Sequence, residues 1–361
     1  MSLLRAGVVG LGTMGRHHVR ALNDLPGVEL VGATDPDPHA RSAARAISAT
    51  AGLDELLARG IDMCVVAAPT LMHRDIGLRL AEAGVHTLME KPITADPESG
   101  RLLAKVFRER RLVGCVGHIE RYNPALRALR ARLVQGELGS VFQVTTRRQG
   151  PFPARIRDVG VVMDLATHDI DLTQWVTGSR YRTVSAFTEC SGGRKHEDMA
   201  AVSGMLRDGT STSHLANWLS STKERVITVT GECGCLTADT LATELWFHRD
   251  RSVTADGPAD RAFHGASAGD VICYAVAKRD ALIVELENFR DAVLGKPADI
   301  VTMQQGAETV EVAAAVLAAS DNCTTVALAA DELAHAHRPD RELPGRWLAG
   351  RRLAGRRLAV G

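Results

Sequence analysis

Residues 158–171 read DVGVVMDLATHDID, four aspartates and one histidine threaded through apolar residues. On a helix Asp164 and His168, four apart, share a face; Asp171 lies near that face and Asp169 is turned away from it. An imidazole beside a carboxylate is apparatus for moving a proton, so Asp164 and His168 are candidate catalytic residues. Asp158 and Asp169 read as capping or surface groups. A third candidate is Lys91, which follows the apolar run in HTLMEKPI (86–93). A lysine at the edge of a sheet can donate to a substrate oxygen. Pro92 restricts it to extended conformations and makes a cis peptide possible.

A proton removed from an alcohol leaves the question of where the electrons go. GLGTMG (10–15) offers an answer, with Gly10, Gly12 and Gly15 in G-x-G-x-x-G spacing around Thr13 and Met14. The glycines suit a tight turn, a close approach to pyrophosphate and close helix–strand packing; the free N–H groups of the helix that follows face the anion. Asp35 ends the next apolar run, 20 residues beyond Gly15, where a carboxylate accepts from ribose hydroxyls. It would repel a 2′-phosphate and no arginine directly follows it, so NAD is expected rather than NADP. Pro69, Thr70 and His73 of APTLMH, with Glu90, Lys91 and His118, complete the expected cofactor pocket.

The elements that must position these residues are legible as a change of period. LRAGVVG (4–10), VELVGATD (28–35), MCVVAAP (63–69), HTLMEKP (86–92) and RLVGCVGH (111–118) read as buried parallel strands. Helical patterns at 16–25, 53–59, 74–84 and 97–111 separate them. The expected fold is α/β: a doubly wound parallel sheet of Rossmann type over residues 1–120. From about 140 short strands follow one another with Thr, Ser and Val alternating, then two helical patterns at 282–295 and 304–320. Residues 121–330 are therefore expected to form an α+β substrate-binding domain, a large and mainly antiparallel open sheet backed by those helices. The last segment, 331–361, repeats LAGRR at 348–352 and 353–357 and reads as a disordered low-complexity tail.

Bulk properties exclude several classes. Among the 361 residues Lys+Arg and Asp+Glu balance at 43 each, which gives no argument for nucleic acid or an anionic membrane as partner. No apolar run approaches a membrane span, and MSLLRAGVVGLG lacks the long apolar region of a secretion signal. Seven scattered cysteines, with CGC at 233–235 but no paired CxxC, suit reduced thiols in a cytoplasmic protein and predict no metal site.

GLGTMG, EKP, GHIERYNPA (117–125) and DVGVVMDLATHDID, in this order, resemble the glucose–fructose oxidoreductase and inositol dehydrogenase family over roughly residues 5 to 325. The resemblance implies that Lys91 contacts the substrate hydroxyl. It implies too that His168 of the D-x-x-x-H pair is the general acid/base, and that Gly10, Gly12, Gly15 and Asp35 hold the dinucleotide. Asp164 is then expected to orient the imidazole and favour its charged form. The family's glycine-rich lead into the last motif is reduced here to Gly160. GHIERYNPA and GPFPARIRDVGVVMDLATHDID look most like the branch containing UDP-N-acetylglucosamine 3-dehydrogenases. The activity so implied is hydride transfer between C3 of a nucleotide-activated amino sugar and NAD. The alternatives are an inositol or free-sugar dehydrogenase, a 3-keto-sugar reductase, or a scaffold that has lost catalysis, against which Lys91 and His168 both stand. Guanidinium forks match phosphate, so Arg121, Arg148 and Arg157, with Arg155 and Asn123, join Lys91 and His168 as candidate substrate ligands. Asn217 and Trp218 are placed on the second sheet, bounding the site or packed in the core. As in relatives, that sheet's open face is expected to assemble a homodimer or homotetramer.

Overall fold

The computed structural model describes residues 3–44, 47–153, 159–250 and 268–329. Arg155, Arg157, Asp158 and the LAGRR repeats lie outside the described residues.

Six strands form the first sheet: β1 (Leu4–Val9), β2 (Val28–Thr34), β3 (Ala49–Thr50), β4 (Met63–Val66), β5 (His86–Glu90) and β6 (Gly114–Gly117). All pair in parallel in the order β3-β2-β1-β4-β5-β6. Their sequences are near-continuous apolar runs because helices cover both faces. The connecting helices are α1 (Thr13–Asn23), α2 (Pro38–Ala43), α3 (Leu53–Leu57), α4 (His73–Glu82) and α5 (Pro97–Glu109). Asp96 starts α5 by accepting from Ser99 N, with Pro97 in the first turn, where its missing N–H costs nothing.

The remaining elements are α6 (Pro124–Val134), β7 (Val141–Pro151), α7 (Thr167–Thr177), β8 (Tyr181–Glu189), β9 (Met199–Leu206), β10 (Ser211–Asn217) and β11 (Leu219–Gly231). They continue with β12 (Gly234–Asp239), β13 (Glu244–Asp250), β14 (Ala268–Tyr274), α8 (Ala281–Val293), α9 (Met303–Asp321) and β15 (Val326–Ala327). Nine strands make one sheet in the order β14-β13-β12-β11-β7-β10-β9-β8-β15. Only β7 and β10 run parallel; the other pairs are antiparallel. The expected α/β fold, a Rossmann sheet followed by an α+β half with a mainly antiparallel sheet, is what forms.

Three details differ from the sequence reading. PALRALRARLV folds as α6, with Asn123 as its N-cap. VICY adds β14. The helix at 281–293 does not back the second sheet. Leu282, Leu286 and Phe289, spaced to one face of α8, pack with Val8, Leu22 and Leu88 of the first sheet's core. α9 reaches further: its Val310, Val312, Ala313 and Val316 join a core that runs from α4 and α5 to Val184, Val202 and Trp218. A third cluster seats α6 and α7 on β7 and β11–β13 through Leu126, Leu129, Trp175, Ile227 and Phe247. Among the described residues no helix is long and apolar enough to cross a membrane.

Candidate active site

The cofactor end is built from backbone. Gly10 has φ +91°, and a Cβ there would stand 2.5 Å from the Ala67 carbonyl oxygen; one on Gly15 would lie 1.8 Å from that of Gly10. These two glycines are required by packing. A Cβ on Gly12 would meet nothing within 4 Å, so its bareness leaves room for something outside the chain. α1 begins there without a side-chain cap and without an acid in its first turn, leaving its N–H groups for an anion. Asp35 Oδ2 accepts from Leu11 N at 2.7 Å and Oδ1 from Asp37 N at 2.8 Å, which fixes the carboxylate while each oxygen keeps a further lone pair. Thr13 and Met14 lie at the mouth of this cradle, and Pro69 is exposed at the end of β4 with Thr70 buried behind it.

Two residues expected in the cofactor pocket are struts behind it. His73 is 1% exposed; its Nδ1 lies 3.0 Å from Pro92 O and its Nε2 2.9 Å from Ala68 O, so both ring nitrogens are committed to main chain. It ties the loop after β4 to the turn after β5. Glu90 meets His18 Nε2 at 2.7 Å across α1 and accepts from Lys91 N at 3.2 Å. Burial would raise its pKa, but the His18 bond and the charges of His18 and Lys91 outweigh burial and hold it below the usual range.

Lys91 follows β5, and its peptide to Pro92 is cis. Its Nζ donates to Asp164 O at 2.8 Å and to Asp164 Oδ1 at 2.9 Å. Asp164 does not sit in a regular α-helix: residues 162–166 form one π-helical turn, a widening common at functional sites, before α7 begins at Thr167. The wide turn ends two residues before His168. Asp164 turns to Lys91, while His168 lies beside His118, ring centroids 6.3 Å apart and edge-on. His168 Nδ1 is buried without a hydrogen-bond partner among the described residues. Burial, then the charges of Lys91 and Arg148 with His118 and Arg225, press its pKa well below the ordinary value. These surroundings favour the uncharged ring, against the expectation of a favoured charged form.

The arginines expected to meet phosphate are met by carboxylates. Arg121 clamps Asp171 through Nε at 2.8 Å and Nη2 at 2.6 Å, and Asp171 in turn lies 3.7 Å from His118 Nδ1. Arg148 Nε donates to Asp169 at 2.8 Å and its Nη1 to Glu120 at 2.9 Å. Burial works against the Arg148 charge, but Asp169 and Glu120 outweigh it and its pKa is raised. Asp169 is thus no surface group; it is 2% exposed, and it occupies the guanidinium that a substrate phosphate would need. Asn123 is spent as the α6 cap and on Thr240 O. Asn217 holds Gln149 and the Leu219 and Ser220 N–H groups, and Trp218 is in the core, edge-on to Phe152.

Arg225 was missed. It pairs directly across from Arg148 on β11 and β7 and so faces the same side of the sheet. Its Nη1 donates to Gln149 O and Glu224 O, and among the described residues it has no carboxylate ion pair. A signal existed: in KERVITV, Arg225 is in phase with the buried Ile227 and Val229, a cation at an inward position of an alternating strand.

A family model described as an oxidoreductase family, NAD-binding Rossmann fold, matches residues 4–118, and its C-terminal alpha/beta domain matches 130–328. The chain belongs to this GFO/IDH/MocA oxidoreductase family. It is an NAD-binding oxidoreductase, and the glycine cradle with Asp35 fits that cofactor. The chain is 32% identical over 299 residues to the UDP-N-acetylglucosamine 3-dehydrogenase of Acidithiobacillus ferrooxidans, covering 80% of this chain and 88% of that protein. A solved structure of that enzyme superimposes with TM-score 0.77 at 28% identity, over 89% of this chain and 99% of the other. GenD2 from gentamicin A biosynthesis, in complex with NAD, gives TM-score 0.77 at 25% identity over 91% and 97%. The scyllo-inositol 2-dehydrogenase (NAD(+)) of Bacillus subtilis is 29% identical over 195 residues, 50% of this chain and 56% of that one.

Proposed function

We propose that this oxidoreductase removes two hydrogens from a ring secondary alcohol of a nucleotide-activated sugar, with C3 of a UDP-N-acetylamino sugar as the leading substrate. The observation that carries the chemistry is the meeting of Lys91 and Asp164 at the end of β5, which Glu90 ties to α1, with His168 four residues beyond Asp164 and its buried Nδ1 unpartnered among the described residues. NAD, when bound, supplies the two-electron acceptor. Lys91 has three N–H donors and Asp164 takes two of them; the third is left for the substrate oxygen, whose negative charge grows as its proton departs. The neutral His168 accepts that proton as general base. Asp164 acts on Lys91, fixing where the ammonium points. The substrate class is supported by the similarity to the Acidithiobacillus enzyme along most of both chains and by Arg225, a cation on the site's side of the sheet that no carboxylate claims among the described residues.

Inositol oxidation stands as a second reading, favoured by the enclosure of Arg121 and Arg148, which removes two of the cations a diphosphate would meet. The discriminating experiment is NADH formation with NAD⁺ against UDP-N-acetylglucosamine, its uronic acid, dTDP-glucose and myo-inositol, with mass spectrometry for loss of two hydrogens. Turnover of a UDP-sugar alone supports the leading reading; turnover of inositol alone sinks it. We further propose assembly as a homodimer or homotetramer through the open sheet face, where Phe142, Phe187 and Val271 are exposed; a monomer by sedimentation would overturn this.

A further inference from the structure

Behind the catalytic helix lies a second cleft. It is open to solvent and holds about 170 Å³ between the C-terminal end of α7 and the first turns of α9, room for a compact ion and less than a drug-sized ligand needs. Arg121, Arg130 and Arg180 line it with Trp175, Gln305 and Glu308. Their charges are not all matched alike. Arg121 is held by Asp171 beneath the floor, and Arg180 lies 2.8 Å from Glu308. Arg130 has no carboxylate ion pair among the described residues; its Nε donates to Trp175 O at 3.1 Å and its guanidinium lies 4.8 Å from the indole centroid. Burial works against the Arg130 charge and lowers its pKa. Asp299 favours the Arg130 charge from a distance but is paired with Arg127, so a half-buried guanidinium is left without a carboxylate in contact, which an anion in the cleft would supply.

We propose that this cleft binds a compact, multiply charged oxyanion, a phosphate or polycarboxylate compound, with Arg130 as its anchor and Arg121 as its link to the active site. The link is a short chain of contacts. Arg121 reaches both the cleft and Asp171, Asp171 neighbours His118, and His118 stands edge-on to His168. An anion drawing on Arg121 weakens its grip on Asp171 and disturbs the packing beside His168. The cleft is separate from the cofactor cradle, so the two ligands bind together.

The test is calorimetric titration of the full chain, saturated with NAD, using inorganic pyrophosphate and, in a separate arm, citrate. The expected result is one anion bound per protomer, weakened about tenfold or more in Arg130→Gln and in Ser179→Glu. The second variant sets a negative charge at the rim and leaves the Arg130–Trp175 stack in place. If only pyrophosphate binds, the ligand class is phosphate; if only citrate binds, it is carboxylate. Failure of both probes to bind, or binding unchanged in both variants, overturns the site. Coupling is read separately as a change in kcat at saturating anion that Ser179→Glu abolishes; no change overturns the link alone. Only that second readout rests on the proposed role of His168, so the two fail distinguishably.

Discussion

Lys91 and Asp164 are 73 residues apart in sequence and meet twice, the ammonium donating to both the main-chain and a side-chain oxygen of the aspartate. The side chains are 16% and 5% exposed, so the pair sits where water screens it poorly. Removing the ammonium breaks both of these charge-assisted bonds at a nearly buried carboxylate. Lys91→Met is expected to lower kcat by ~10²–10⁴-fold and to lower stability by about 3–5 kcal/mol, with NAD affinity little changed. Steady-state kinetics, urea unfolding and cofactor titration separate these effects. Near-wild-type turnover in the variant would remove Lys91 from the chemistry.

Gly12 and Gly15 occupy the same motif and should respond in opposite ways. Gly15→Ala forces a Cβ against the Gly10 carbonyl at 1.8 Å and should destabilise the fold itself. Gly12→Ala meets nothing within 4 Å, so its Tm should stay within a degree or two of wild type while NAD affinity falls about tenfold or more. Thermal melts with and without NAD decide it. Unchanged NAD affinity in Gly12→Ala would mean the pyrophosphate does not cross Gly12.

A base must be unprotonated to accept a proton, and His168 has its pKa depressed, first by burial and then by the positive charges of Lys91 and Arg148. Turnover in the oxidative direction should therefore hold its plateau as pH falls through 6.5, the ordinary histidine value, and decline only well below it. The pH profile of kcat measures this. An acid limb centred at or above 6.5 would show that His168 is not the titrating base or that Asp164 does govern it.

His214 makes a stability prediction with no bearing on catalysis. Its ring is 2% exposed between Thr146 Oγ1 at 2.8 Å and Tyr181 Oη at 2.6 Å, and burial pushes its pKa down to about 4. Because the folded state resists the proton that the unfolded chain takes up near 6.5, His214 costs nothing above that pH. The penalty grows as pH falls from 6.5 to 4 and then levels at about 3 kcal/mol. Urea midpoints between pH 8 and 4 should fall accordingly, and His214→Gln should flatten part of that slope; equal slopes would contradict it.

The local codes were sufficient for much of this protein. Continuous apolar runs separated by helical periods specify a covered parallel sheet, because a strand buried on both faces has no polar face to show. Alternation in HLAN and VITV specifies the second sheet for the opposite reason. Glycine spacing, Asp35 and the K-P and D-x-x-x-H motifs name their residues before any fold exists, since each depends on a turn or a functional group a few residues long. Tertiary structure decided who meets whom. Sequence cannot show that α8 leaves the sheet it follows to cover the first one, because its apolar stripe of Leu282, Leu286 and Phe289 fits either core. Nor can it tell a phosphate-seeking arginine from one already answered: Arg121 and Arg148 are neutralised by Asp171 and Asp169, 50 and 21 residues away. The π turn at 162–166 completes the point. One extra residue in a turn costs little locally and leaves no mark in composition, yet Asp164 lies within it where it meets Lys91.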